Sequence, residues 1–173
     1  GSLDERLELL ELLRESVERG FVGFTIHYQP QVDTVSGRLC GAEALARWHC
    51  TKYGDVSPGE FIPLMEQSGL IIPFGQWILS RGMAQCLEWC RFRPDFQISV
   101  NLSYIQLAQG DFISFLRTAL EEHSLAPSKI ILELTETYLA KAEEDTLRLI
   151  AQMKELGVKI AMDDFGVGYS SLF

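Results

Sequence analysis

Glu43 lies within a strand-like run at residues 36–48, and Asn101, Glu133 and the doublet Asp163-Asp164 lie at the ends of three later strand-like runs. Carboxylates joined by one carboxamide are hard oxygen donors, suited to Mg²⁺ or Mn²⁺ rather than zinc. Two neighbouring carboxylates stay ionised together only where a cation or solvent offsets their repulsion. One of the pair can ligate one ion while its neighbour reaches a second, and two ions roughly 3.5–4 Å apart form the clamp of in-line phosphoryl transfer. Arg47 falls four positions after Glu43, on the same side of a strand, where its guanidinium could hold a phosphate oxygen.

Taken singly, each residue has a plainer explanation. Asn101 could cap a helix or turn, and Glu133 could be a solvated charge at a strand end. Asp163-Asp164 could cap the next turn, and Arg47 could be a structural ion-pair partner. Glu136 could lie on the surface or anchor a loop. What these readings leave unexplained is the recurrence of oxygen donors at successive strand ends. His27, His49 and His123 share no pattern and read as structural.

The elements that must place these side chains alternate. A leucine-spaced helix over 3–20 ends on Gly20, and β-rich runs at 24–33 and 36–48 predict a hairpin. Helices are predicted at 57–69 and 74–90. Strands at 97–103, 129–136 and 158–166 then alternate with helices at 111–123 and 143–157. Such alternation argues for parallel β-α units, in which strand C-termini share one face of the sheet.

The 173 residues suffice for one domain, and 47% hydrophobic with 23% charged residues describes a globular chain. A formal charge of −9 argues against binding polymeric nucleic acid, although a metal ion can still bring a small phosphate ligand to the protein. Cys40, Cys50, Cys86 and Cys90 form no CxxC pair and read as buried thiols of a reducing compartment; a zinc set of Cys40, His49 and Cys50 is the weaker reading. No run is long enough to span a bilayer and no signal peptide is visible, so the expected location is cytoplasmic. Gly1-Ser2 reads as a cloning scar.

Five motifs, "YQP" (28–30), "EALARW" (43–48), "SVNLS" (99–103), "ELTE" (133–136) and "DDFGVGYSSL" (163–172), resemble in order and spacing the EAL-domain family of cyclic di-GMP phosphodiesterases. The resemblance implies an α/β fold, a TIM-like βα-barrel whose first strand runs antiparallel. It implies Glu43, Asn101, Glu133 and Asp163 as metal ligands and Asp164 as a ligand of a second metal. It implies Gln29, Leu45 and Arg47 as substrate contacts, residues 164–171 as a mobile loop, and Glu136 as that loop's anchor. The implied reaction is Mg²⁺- or Mn²⁺-dependent hydrolysis of cyclic di-GMP to linear pGpG, with Glu43, Asp163 and Asp164 central to catalysis.

The family pattern continues past the last motif with a lysine near the attacking water, a further ligating glutamate and a substrate-contacting glutamine. These are not assigned within the 173 residues. The expectation is therefore an incomplete barrel, residues 3–173 forming roughly the N-terminal two-thirds of the domain, inactive or nearly so by itself. An open sheet edge predicts a homo-oligomer. The parent protein is expected to carry sensory or other signalling domains. The alternative function is a non-catalytic module that binds cyclic di-GMP or a protein; retention of Glu43, Asn101, Glu133, Asp163 and Asp164 argues against it.

Overall fold

Ser2 starts the first helix, its hydroxyl accepting the Glu5 amide at 3.2 Å. That helix, α1 (Leu3–Glu18), buries Leu9 and Leu13. The computed structural model of the chain describes residues 2–109, 111–135, 138, 140 and 142–163. β1 (Phe24–Val32) and β2 (Leu39–Cys50) form the predicted antiparallel hairpin. Its turn is organised by Asp33, whose carboxylate accepts the Ser36 and Val35 amides at 2.8 Å each; these bonds hold it below the usual carboxylate range.

A three-residue β3 (Gly54–Val56) folds back onto the end of β2. Helices α2 (Pro58–Ser68) and α3 (Ile71–Cys90) follow. Then come β4 (Gln97–Asn101), the short α4 (Tyr104–Gln109) and α5 (Phe112–Glu122). A 3₁₀ turn leads into β5 (Ile130–Thr135), and α6 (Glu144–Leu156) leads into β6 (Lys159–Asp163). Among the described residues no helix is long and apolar enough to cross a membrane.

The sheet order is β1-β2-β4-β5-β6, with β3 attached to β2. β2, β4, β5 and β6 run parallel and β1 antiparallel, as expected of a βα-barrel with a reversed first strand. The pleat of β2 separates two environments. Ala42, Ala44, Ala46 and Trp48 are buried toward the helices, while Glu43, Leu45 and Arg47 alternate onto the other face. Small alanines let the helical layer approach.

Between sheet and helices lies an aromatic cluster. The Phe61 ring, fully buried, meets Phe24 edge-on at 5.5 Å and neighbours Trp48 and Phe74 at 6.3 and 6.2 Å. The thiols belong to the packing as well. Cys50 and Cys86 are buried as expected, Cys40 and Cys90 only half-buried, and the Cys86 and Cys90 sulfurs lie 3.9 Å apart on one face of α3. Burial, and then the neighbouring Cys90, push the Cys86 thiol up to about 12, so it stays protonated and inert at neutral pH.

Candidate functional site

Register decides which side chains meet. Glu43 of β2 pairs with Ser99 of β4, Asn101 of β4 with Glu133 of β5, and Glu133 with Ala161 of β6. Because side chains alternate along a strand, Glu43, Ser99, Asn101 and Glu133 share one face of the sheet. The Asn101 amide donates from Nδ2 to Glu43 Oε2 at 3.0 Å, joining the first two predicted ligands directly. Glu43 is 8% exposed and Glu133 only 2%. Placing two carboxylates that deep requires compensation from hydrogen bonds or positive charge; the Asn101 amide supplies part of it to Glu43.

At the end of β6, the Asp163 backbone pairs in register with Thr135. The side chain of Asp163 lies outside the described residues, as do Asp164, Glu136 and the loop at 164–171. Among the described residues no group of three or more His, Cys, Asp and Glu side chains gathers as a metal site. The described part of the predicted set is thus two buried carboxylates and a carboxamide, all hard oxygen donors. That chemistry fits Mg²⁺ or Mn²⁺. The weaker zinc reading finds no support, since the His49 ring is engaged with Asp55 at 2.8 Å and Cys50 accepts the Tyr53 amide.

Beside the carboxylates a cleft of about 370 Å³ opens between β2 and the start of the helical layer. Leu45 and Arg47 line one wall, Phe61, Ile62 and Glu66 of α2 another, and Asn101 and Glu133 the end. The cleft exists because β4 accompanies β2 only as far as Ala44, and β3 takes over at Trp48. Leu45, Ala46 and Arg47 therefore have β1 on one side and neither β4 nor β3 on the other. The exposed Arg47 donates from Nη1 to the Ala46 carbonyl at 3.0 Å. Gln29, also exposed, is the register partner of Glu43 across the hairpin.

Three residues around this site went unnoticed in the sequence: Glu66, Ser103 and Gln106. The signal for two of them was present. "SYIQ" at 103–106 has the S-x-x-Q form of a capping box, directly after a strand.

An EAL domain family model matches residues 11–173. The chain is 41% identical over 173 residues to the bifunctional diguanylate cyclase/cyclic di-GMP phosphodiesterase MucR of Pseudomonas aeruginosa, covering 99% of this chain and 25% of that protein. It is 37% identical over 160 residues to the cyclic di-GMP phosphodiesterase PdeR of Escherichia coli, covering 92% of this chain and 24% of that one. A solved structure described as the PaMucR phosphodiesterase in complex with c-di-GMP superposes with a TM-score of 0.84 at 41% identity, over 95% of this chain and 66% of its own. The chain thus spans about a quarter of the length of these curated relatives.

Proposed function

The chain belongs to the EAL-domain family, and from that premise we propose that it forms the substrate-binding and much of the metal-binding part of a phosphodiesterase that hydrolyses cyclic di-GMP to linear pGpG. The observation that carries this reading is the hydrogen bond from Asn101 to Glu43 in register beside the buried Glu133. Glu43, Asn101 and Glu133, with Asp163 and Asp164, would hold two Mg²⁺ or Mn²⁺ ions. When bound, such ions acidify a water and neutralise charge developing on the phosphoryl oxygens.

The chain's own residues do the rest. The Asn101 amide fixes the orientation of the Glu43 carboxylate, leaving its own carbonyl oxygen as the remaining acceptor on that side chain. Leu45 offers an apolar wall to the nucleotide, and Gln29, across the hairpin from Glu43, offers a polar contact beside the carboxylates. Arg47, exposed at the cleft, exchanges the Ala46 carbonyl for a phosphate, whose two free oxygens its planar fork can bind through two parallel bonds.

Incubating the whole protein that contains this chain with cyclic di-GMP and Mn²⁺ is expected to yield pGpG, resolved by ion-exchange chromatography, and EDTA is expected to stop it. Binding of cyclic di-GMP without any hydrolysis would overturn this reading in favour of a non-catalytic module. We propose further that the 173 residues are the N-terminal two-thirds of the domain. Coverage of 66% of the solved relative supports this. The 173 residues alone are then expected to turn over cyclic di-GMP far more slowly than the whole protein. Equal rates would contradict it.

A further inference from the structure

Asn101 ends β4, and two residues later the chain is held by a cluster of hydrogen bonds at the edge of the cleft. The Ser103 amide donates to Gln106 Oε1 at 2.9 Å, and the Ser103 hydroxyl oxygen accepts the Ile105 amide at 3.3 Å. Together these form a reciprocal capping box on α4. A six-residue helix is marginal without such help, because nucleation is costly and few backbone bonds follow it. Gln106 is 4% exposed. Its amide lies against α3 at Gly75, where an added Cβ would stand 1.8 Å from Gln106 Nε2. Glycine at 75 is therefore a condition for the box.

The same hydroxyl reaches out of the box. Ser103 Oγ donates to Glu66 Oε2 of α2 at 2.6 Å, a short charge-assisted bond. On the opposite side, the Leu102 amide donates to the Glu133 carbonyl at 2.9 Å. The end of β4 is thus tied to β5 through Leu102 and to α2 through Ser103, one and two residues after Asn101. Asn101 itself is exposed, so packing does not hold it; what holds it is the backbone on either side and the bond to Glu43.

We infer that Glu66 and Gly75 are positioning residues: Glu66 through Ser103, and Gly75 through Gln106, set where the Asn101 amide stands relative to Glu43. This rests on the proposed oxygen-ligated metal site and adds to it two residues from the helical layer, neither of which touches that site's ligands. It also gives α2 a second duty, since the helix that walls the cleft then aligns the ligand at its end. Partners that orient a ligand from behind commonly carry a large share of metal affinity.

The test uses the whole protein with Ser103→Ala, Ser103→Thr, Glu66→Ala, Glu66→Gln and Gly75→Ala. In metal-free protein, the side-chain amide resonances of Asn101 are expected to move in Ser103→Ala, Glu66→Ala and Gly75→Ala. They should stay near their native positions in Ser103→Thr and Glu66→Gln, which keep the hydroxyl and the acceptor. Mn²⁺ binding without nucleotide, followed by electron paramagnetic resonance, should weaken about tenfold or more in the three disruptive variants, with kcat falling in step. Native Asn101 resonances in Ser103→Ala and Glu66→Ala would overturn the inference. So would a Glu66→Gln variant as damaged as Glu66→Ala, because charge rather than the hydrogen bond would then be at work. If the native protein binds Mn²⁺ but leaves cyclic di-GMP intact, the proposed reaction fails and the positioning role is still judged on Mn²⁺ affinity. If it binds no Mn²⁺, the Asn101 resonances decide.

Discussion

Glu133→Gln is expected to lower kcat for cyclic di-GMP by on the order of a thousandfold while leaving the fold intact. Removing one anionic ligand forfeits several kcal/mol of charge stabilisation, and about 1.36 kcal/mol corresponds to each factor of ten. The substitution preserves volume in a strand whose neighbours Leu132 and Leu134 are 0% and 1% exposed, so no cavity opens. Metal-free Glu133→Gln should accordingly stay folded and melt close to the native temperature. Steady-state hydrolysis and a thermal melt of the metal-free protein make the check together. Near-native turnover would remove Glu133 from the proposed ligand set.

Phe61→Ala is expected to cost about 3–5 kcal/mol of folding stability, read by urea unfolding of the whole protein. That is a large part of the roughly 5–15 kcal/mol a domain commonly has. The ring is fully buried and touches Phe24 of β1, Trp48 of β2 and Phe74 of α3, so its loss loosens the hairpin from both helices at once. Its neighbours are rigid rings that cannot collapse into the space. A loss below about 1 kcal/mol would show that the cluster repacks, contrary to this account. Because Phe61 also lines the cleft, the surviving folded fraction should bind cyclic di-GMP more weakly.

Much of this architecture was legible because parallel strands covered by helices write themselves as short apolar runs with polar ends. Ile98 and Val100 before Asn101, and the run from Ile130 to Leu134 around Glu133, are such cases. The reversed first strand came from the family resemblance, since an alternating run at 24–33 announces a hairpin but not its place in a barrel. β3 escaped because three residues show no periodicity, and α4 because six residues hold less than two turns of pattern. The start of α3 was misplaced by three residues. Pro73 resembles a helix boundary, yet in the first turn its missing N–H is no loss. Among the site residues, strand ends revealed Asn101 and Glu133 as candidates, and Glu43 stood out within the hairpin strand. The hydrogen bond between Asn101 and Glu43 depends on register, which spacing along the chain does not encode. Glu66 was invisible for a related reason: a glutamate on an amphipathic helix looks solvated until its partner 37 residues away is known.

The gap in β2 between the reach of β4 and the start of β3 makes the strand its own competitor. In a sheet without that gap, the Ala46 carbonyl would be offered to a neighbouring strand; here Arg47, the next residue, takes it. An anion entering the cleft must outbid a neutral carbonyl for the guanidinium, at a net loss of about 0.5–1.5 kcal/mol, and a charged oxygen does so where an uncharged ligand gains little. The released carbonyl then faces the incoming molecule or water. A ligand that covers it with apolar surface strands it, at about 1–3 kcal/mol. With Arg47 meeting the ligand as proposed, one short interruption in a ladder would filter ligands twice, for negative charge at the guanidinium and for a hydrogen-bond donor at the carbonyl.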